Sequence, residues 1–448
     1  MPSGKESARA LALLALERVE KDHAYLDKLK DHLLASSGLN QKERNLFMEL
    51  SYGVIRHRRM LDFYLEQFLD RKIQQTDLRT RNILRLGAYQ ILMLDRIPSP
   101  AAVNESVKLS AHYAKPLVNA VLRRLSANKN ALNSPERIPD FIKRLGIKYS
   151  HPDWMVESAI KLLGEKEAEE LLSTNNQRPL VALRVNTSRI SSEELLARFA
   201  KEGISAEAGR FCPVAVSLKE HKPVWELPGY NEGWFAVQDE ASQLVVLMLD
   251  PKPGEEILDA CSAPGTKSLF IFQLMKTTGR LVSADINGSR LNLINKEARR
   301  LGLDGVEILC HDLTKPIDSG KKEARLFDKI LLDAPCSGLG TIRKHPEIKW
   351  HRKPEDISQL ACMQIQLLQS LAGYLKPGGV MVYSTCTWTK EENEDVVRSL
   401  LERGGFELED PSEFLPDSAK CLVKDRVFRT LPNRHLIDGF SAFRLRKR

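Results

Sequence analysis

The chain has 448 residues, 42% of them hydrophobic and 28% charged, with a formal net charge of +8 and a pI of about 9.0. That length exceeds one ordinary hydrophobic core and calls for two or three domains, in a composition typical of globular proteins. No apolar run nears the roughly 18 residues a membrane span needs, and none is expected. Leu11 to Leu16 are apolar, but Glu17, Arg18 and Glu20 follow, so the segment reads as an amphipathic helix rather than a secretory leader. The seven cysteines, at 212, 261, 310, 336, 362, 386 and 421, lie at least 24 residues apart. No CxxC pair exists, so neither a zinc site nor a disulfide framework is indicated, and a reducing cytoplasm is the natural setting. The ten histidines show no ligand spacing, so no metal is expected.

Along roughly the first 130 residues, apolar residues recur at three- and four-residue spacing. The pattern predicts helices over 8–34, 41–54, 60–69, 77–94 and 101–125, with Pro98 and Pro100 breaking the last two apart. Pro135 and Pro139 mark a linker. Then comes a helix over 155–172, a strand over 180–186 and a helix over 191–201, with short strands before Pro228, Gly229 and Gly233. From about 241 onward, strands at 256–260, 280–285, 306–310, 329–333, 380–384 and 440–445 alternate with helices at 267–275, 289–301, 354–374 and 391–403. That alternation predicts βαβ units and a mostly parallel sheet, whose ligands bind beyond the carboxyl ends of the strands.

Three segments at those ends carry chemistry. In Asp259-Ala-Cys-Ser-Ala-Pro-Gly-Thr-Lys267 a buried strand runs into a turn of small residues and a helix start, whose amides would face a ligand. Asp285, closing the second strand, can accept both hydroxyls of a ribose, and Asp312 follows the third. Neither GxGxxG nor GxxxxGK[ST] is present, which disfavours NAD and ATP phosphate binding. In Asp333-Ala-Pro-Cys-Ser-Gly-Leu-Gly340 an acid and a cysteine leave the fourth strand in a pliable loop, and Ser384-Thr-Cys-Thr387 sets Cys386 just past the fifth. Two thiols, an acid and a nucleoside-containing cofactor suit methylation at carbon 5 of cytosine. Thiolate addition at carbon 6 makes carbon 5 nucleophilic, an acid offsets the charge on nitrogen 3, and a second group assists release. Spacing alone does not say which cysteine attacks.

These blocks resemble those of the RNA (cytosine-5) methyltransferase family, which includes the bacterial RsmB/Sun/Fmu and eukaryotic Nop2/Sun types. His345-Pro-Glu-Ile-Lys-Trp350 and Glu391-Glu-Asn393 continue the second and third blocks, and Asp438-Gly-Phe440 is similar to the family's closing strand. The resemblance implies S-adenosylmethionine as methyl donor, Cys386 as nucleophile, Cys336 in product release, and Asp333 and Lys267 as further catalytic groups. It also implies a cofactor site formed by Cys261, Ser262, Ala263, Pro264, Gly265, Thr266, Lys267, Asp285, Arg290, Asp312 and Asp333. Thr266 stands where the family usually has Gly and Ser262 where Ala is common; both are small.

Glu49-Leu-Ser-Tyr-Gly-Val-Ile-Arg56, Arg85-Leu-Gly-Ala-Tyr-Gln90 and Leu117-Val-Asn-Ala-Val-Leu-Arg-Arg124 resemble a NusB-like helical domain. The resemblance therefore implies a multidomain chain with an all-α NusB-like RNA-binding domain over 1–135 and a small α+β bridging region over 145–240. A Rossmann-like class I methyltransferase domain over 241–448 completes it. The implied partner is 16S ribosomal RNA, and the chain is expected to act as a cytoplasmic monomer. The rival reading is a NusB-like antitermination-type protein with an inactive methyltransferase scaffold, which the presence of Cys386, Asp333 and Lys267 disfavours. Clustered basic residues are expected to grip RNA phosphates: Arg56, Arg58 and Arg59; Arg79, Arg81 and Arg85; Arg343 to Lys353; and Arg444 to Arg448. Trp350, Trp388 and Phe270 are candidates to stack a flipped base, with core packing the favoured reading.

Overall fold

The computed structural model describes residues 7–220, 222–317 and 326–448. The chain forms two compact units, Met1–Gln177 with Ile342–Arg352, and Arg178–Thr341 with Lys353–Arg448.

The described part of the first unit is helical: α1 (Ala8–Asp22), α2 (Leu26–Ser36), α3 (Gln41–Glu66), α4 (Leu78–Met93), α5 (Ser99–Leu109), α6 (Lys115–Ala127), α7 (Phe141–Lys148), α8 (Asp153–Leu163) and α9 (Glu165–Thr174). Local chemistry sets the ends. Asn40 and Glu43 form a capping box at the start of α3, and the Asp77 side chain accepts from the Thr80 amide at the start of α4. Leu11, Leu50, Ile83 and Leu122, each on its helix's apolar face, meet in one core. Several helix boundaries differ from those the periodicity predicts. The helix expected over 8–34 divides at His23, which takes a left-handed conformation (φ 51°). The one expected over 155–172 divides at Gly164 (φ 77°), and that over 101–125 divides at Ser110. Conversely, 41–54 and 60–69 merge into α3 across a single non-helical residue, His57. In each case the apolar stripe continues toward one core across the break, so periodicity does not register it. Residues 145–177, read from sequence as the start of the bridging region, are mostly helical and belong to this first unit.

The arginines expected to face phosphate are largely engaged inside the unit. Arg85, 1% exposed, grips Asp62 with two hydrogen bonds of 2.7 and 2.9 Å and reaches Glu20 at 2.9 Å. Arg81 and Arg58 pair with the same Glu20 at 2.7 and 3.2 Å, and Arg59 with Asp153 at 2.6 Å. Buried guanidinium groups need such partners, because an unpaired charge in the interior costs several kcal/mol.

Residues 342–352 complete this unit. The Arg56 guanidinium donates to the Arg343 carbonyl at 3.0 Å, and the Leu26 amide donates to Glu347 Oε1 at 3.1 Å. The fully buried Lys349 Nζ donates to the Arg56 carbonyl (2.7 Å) and Asn176 Oδ1 (3.0 Å). The Trp350 indole donates to the Ile55 carbonyl at 2.8 Å, and its ring packs on the helical core.

The second unit holds two sheets. The smaller is antiparallel in the order β2 (Ala206–Ala208), β3 (Ala215–Leu218), β1 (Val181–Val185), β4 (Phe235–Val237), and α10 (Ser192–Lys201) lays Leu195 and Phe199 into its core. The larger contains β5 (Glu256–Ala260), β6 (Arg280–Asp285), β7 (Glu307–Cys310), β8 (Phe327–Asp333), β9 (Leu375–Thr385), β10 (Phe406–Glu409), β11 (Val423–Lys424), β12 (Val427–Arg429) and β13 (Ser441–Lys447). Strands β7-β6-β5-β8-β9 are parallel, and β13 joins β9 antiparallel and carries β12, β11 and β10 beyond it. Leu331 and Val382 face one core while Leu332 and Tyr383 face the other, as the two-residue period of strands requires. Among the helices covering the sheet are α11 (Glu240–Leu249), α12 (Thr266–Leu274) and α13 (Gly288–Leu301), with Pro354–Ala372 and Glu394–Leu401. Strand order reverses between β5 and β8, the position where such sheets open a crevice for ligands. The all-α front, the α+β bridge and the Rossmann-like α/β region are thus all present.

Glu347 generates a test of the first unit. Burial pushes its carboxyl up to about 7, from 4.5 for an ordinary glutamate. Between those values the folded chain keeps a proton that the unfolded chain has released. The stability this residue contributes is therefore fully present below about 4.5 and lost as pH rises through about 7. Glu347→Gln, which keeps an acceptor for the Leu26 amide, should gain about 2–3 kcal/mol relative to the native chain between pH 5 and pH 8. Urea unfolding midpoints at the two pH values measure this; a difference that stays flat contradicts it.

Candidate active site at the carboxyl rim of the large sheet

The loop from β5 to α12 is shaped by backbone that few side chains tolerate. Cys261 and Gly265 both take positive φ (60° and 100°), and the Gly265 amide donates to the Ser262 carbonyl at 2.7 Å. A Cβ on Gly265 would strike the Ile294 side chain of α13, so the turn needs glycine for space as well as for conformation. The Ser262 amide donates to the Ala284 carbonyl at 2.9 Å, tying the loop to the end of β6. Asp285, at that end, accepts from the Ala263 amide (3.1 Å) and the Asn287 amide (2.8 Å). Arg290 closes the same edge by donating to the Ala263 carbonyl at 2.6 Å. Asp312, past β7, is half-buried, and the Thr314 hydroxyl and amide hold its carboxyl below the ordinary range. The buried Ser262 hydroxyl has no hydrogen-bond partner among the described residues. A cradle that a Cβ would fill, an unpartnered hydroxyl and two rim carboxylates together fit an adenosine-bearing cofactor. The family's Gly-to-Thr266 and Ala-to-Ser262 differences remove none of these features.

Lys267 and Asp333 meet from α12 and β8, with Nζ 2.6 Å from Oδ2. Burial alone would lower the lysine, but the Asp333 carboxylate overrides it and holds the ammonium above its ordinary value. Ser384 at the end of β9 donates to the other carboxylate oxygen at 2.8 Å. Beneath them Asp259 is fully buried and pushed up to about 7 by burial, with the Ser268 hydroxyl donating to it at 2.5 Å.

The two cysteines expected to act are brought together. Cys336 and Cys386 are both half-buried, and their sulfurs lie 3.2 Å apart. The hydrogen bond between the sulfurs, reinforced by burial, holds the Cys336 thiol well above the ordinary range. The Gly340 amide donates to the Cys386 carbonyl at 3.0 Å, and the Gly439 amide donates to the Gly340 carbonyl at 2.8 Å. The second, third and closing motifs therefore converge on one another.

Other expectations divide. Phe270 and Trp388 are core residues, 0% and 2% exposed, and Trp350 packs in the helical unit, so none of the three is a free stacking platform. Sequence reasoning missed Arg184 of β1. Its fully buried guanidinium donates to Gln238 Oε1 (2.6 Å) and the Thr266 carbonyl (2.7 Å), bracing the start of α12. The available signal was a charge between Leu183 and Val185 in an otherwise apolar strand. Among the described residues there is no cluster of three or more metal-ligating side chains, and no helix long and apolar enough to cross a membrane.

A Cβ at position 340 would collide with the Gly439 backbone rather than with a movable side chain. Gly340→Ala should therefore cost about 1–3 kcal/mol of stability, as overpacking does, and shift the Cys336 loop. Denaturant unfolding and alkylation rates of Cys336 measure the two effects; native values for both would show that the loops are not packed as described.

The geometry agrees with comparisons to known proteins. A family model described as 16S rRNA methyltransferase RsmB/F matches residues 246–446. The NusB family model matches residues 6–127, and a ferredoxin-like domain model of RsmF/B-like methyltransferases matches 151–225. The chain is 36% identical over 450 aligned residues to a Bacillus subtilis protein named "Probable ribosomal RNA small subunit methyltransferase B", with 99% of each chain covered. It is 35% identical to the Pseudomonas putida "Ribosomal RNA small subunit methyltransferase B", over 89% of this chain and 88% of that one. Among solved structures, PH0851 superposes with a TM-score of 0.81 at 25% identity and full coverage of both chains. A methyltransferase homolog protein from Pyrococcus horikoshii superposes with a TM-score of 0.58 at 29% identity, covering 69% of this chain and 100% of that one. Motifs, fold and relatives agree that the chain belongs to the RsmB family of small-subunit ribosomal RNA methyltransferases.

Proposed function

We propose that this chain transfers the methyl group of S-adenosylmethionine to carbon 5 of a cytosine in 16S ribosomal RNA, through a covalent cysteine adduct. The observation that carries the reading is the pair of thiols 3.2 Å apart, on the rim that also holds the Lys267–Asp333 pair. S-adenosylmethionine supplies a sulfonium methyl, the electrophile of the reaction. Cys261 to Lys267 would hold it, with Asp285 at the ribose, Asp312 at the adenine, Arg290 bracing the loop and Asp333 shared with the target base.

The roles follow from the chemistry. Cys386 as thiolate forms a bond to carbon 6 of cytosine, pushing electrons toward nitrogen 3. The Lys267–Asp333 pair carries the proton that meets this charge. Carbon 5, now nucleophilic, takes the methyl and must lose its hydrogen as a proton before the carbon–sulfur bond breaks. Cys336 assists that release, its sulfur lying 3.2 Å from that of Cys386. Exposed cations on the helical unit, Arg123 and Arg124 of α6 among them, suit RNA phosphates better than the internally paired arginines do. On this reading the enzyme works as a cytoplasmic monomer.

Cys386→Ala should lower methyl transfer by about three orders of magnitude or more, as loss of a covalent nucleophile does. Cys336→Ala should instead accumulate an enzyme–RNA adduct that survives denaturing electrophoresis. An adduct in Cys386→Ala, and none in Cys336→Ala, would reverse the assignment. Bisulfite sequencing of ribosomal RNA with and without the gene locates the cytosine.

A further inference from the structure

Glu392 lies six residues beyond Cys386 and is 0% exposed. Each hydrogen bond its carboxylate makes comes from a neutral donor. The Ser337 amide and Gln364 Nε2 donate to Oε1 at 2.7 and 3.2 Å, and the Ser337 and Thr389 hydroxyls donate to Oε2 at 2.6 and 2.7 Å. A carboxylate held this way is costly to bury and confers little stability that an apolar side chain would not. What it does is join two loops. The Ser337 hydroxyl has one hydrogen and directs it to Glu392. Its 2.8 Å contact with the Thr387 hydroxyl therefore runs from Thr387 as donor to Ser337 as acceptor. Gln364 also donates to the Pro335 carbonyl at 2.8 Å. Next to Glu392, Asn393 accepts from the Thr385 hydroxyl at 2.7 Å and donates to the Thr389 carbonyl at 2.7 Å. Both chain neighbours of Cys336, Pro335 and Ser337, and both neighbours of Cys386, Thr385 and Thr387, thus belong to one buried network around residues 392 and 393.

We infer that Glu392 is a positioning residue whose carboxylate sets the separation of the Cys336 and Cys386 thiols. Glu392 itself touches neither sulfur in any hydrogen bond of the structure. Its effect passes through Ser337 and Thr387, and the direction of every hydrogen in that relay depends on an acceptor at position 392. Glutamine has the same shape but must turn an amide N–H toward one of these donors, leaving two donors facing each other. The role of the thiols in catalysis rests on the proposed function; the distance between them does not.

The decisive measurement needs neither RNA nor cofactor. Diamide, a diazene oxidant, takes two electrons and two hydrogens from a pair of close thiols, forming one S–S bond and the hydrazine. In the full-length chain this reaction should join Cys336 to Cys386, read by peptide mapping as a mass loss of two hydrogens. In Glu392→Gln its rate should fall about tenfold or more, while Glu392→Asp recovers part of it. Methyl transfer by Glu392→Gln should show a lowered kcat with KM for RNA within about twofold, because binding surfaces are untouched. Ser337→Ala, which removes only the hydroxyl between Glu392 and Thr387, should slow coupling in the same sense, and it serves if Glu392→Gln does not fold. Thiols that couple at the native rate in folded Glu392→Gln or Ser337→Ala overturn the inference, whatever happens to kcat. Slowed coupling with native kcat would leave the positioning role standing and count instead against the proposed use of the two thiols.

Discussion

The Lys267–Asp333 ion pair joins the two halves of the chemistry at the point where strand order reverses. One partner opens α12 immediately after the cofactor loop, and the other closes β8 three residues before Cys336. A buried ammonium without this carboxylate would be pushed toward its neutral form. Asp333 therefore keeps Lys267 charged, and the position of one loop constrains the other. Ser384 extends the constraint to β9, and through the parallel register of β8 and β9 to the strand end that carries Cys386. The cofactor cradle and the thiols are thus referenced to the same three strand ends.

Much of this was legible in the sequence. Short, mostly apolar segments alternating with helical ones identify β5, β6, β8 and β9, and the three motifs fall at carboxyl ends among them, where a parallel sheet places its ligands. The nucleophile's identity was not legible from spacing, because two equivalent cysteines leave adjacent strands; family resemblance had to rank them. What escaped has physical reasons. Strands β10, β11 and β12 are two to four residues long, too short for alternation to show. Breaks at His23 and Gly164 leave the apolar stripe intact. The burial of Glu392 and Arg184 escaped because one-dimensional patterning does not distinguish a solvated charge from one with several buried partners.

The basic clusters make the same point about charge. Three arginines within four residues, 56 to 59, suggested a phosphate-binding face, yet Arg56 donates to a buried backbone carbonyl and Arg58 and Arg59 hold carboxylates. On a helix, neighbours in sequence point in different directions, so a run of like charges does not form one surface. The total charge of the chain keeps its meaning for long-range attraction of a polyanion; the assignment of contacts does not follow from it.

The first unit is discontinuous in sequence, and that has a consequence for how the protein is made. The Leu26 amide, the Arg56 carbonyl and the Ile55 carbonyl find their partners only in residues 347–350. During synthesis, helices α1 to α9 leave the ribosome well before the segment that completes their packing. More than 160 residues of the second unit lie between Gln177 and Ile342. The ordinary order, in which an amino-terminal domain finishes folding first, cannot hold here. The helical unit has to wait in an incomplete state, with polar backbone groups near its core unsatisfied, until the loop bearing Cys336 has been made. Maturation of the front of the chain is thereby tied to synthesis of its catalytic half, and a chain cut short before residue 342 would lack a finished copy of either unit.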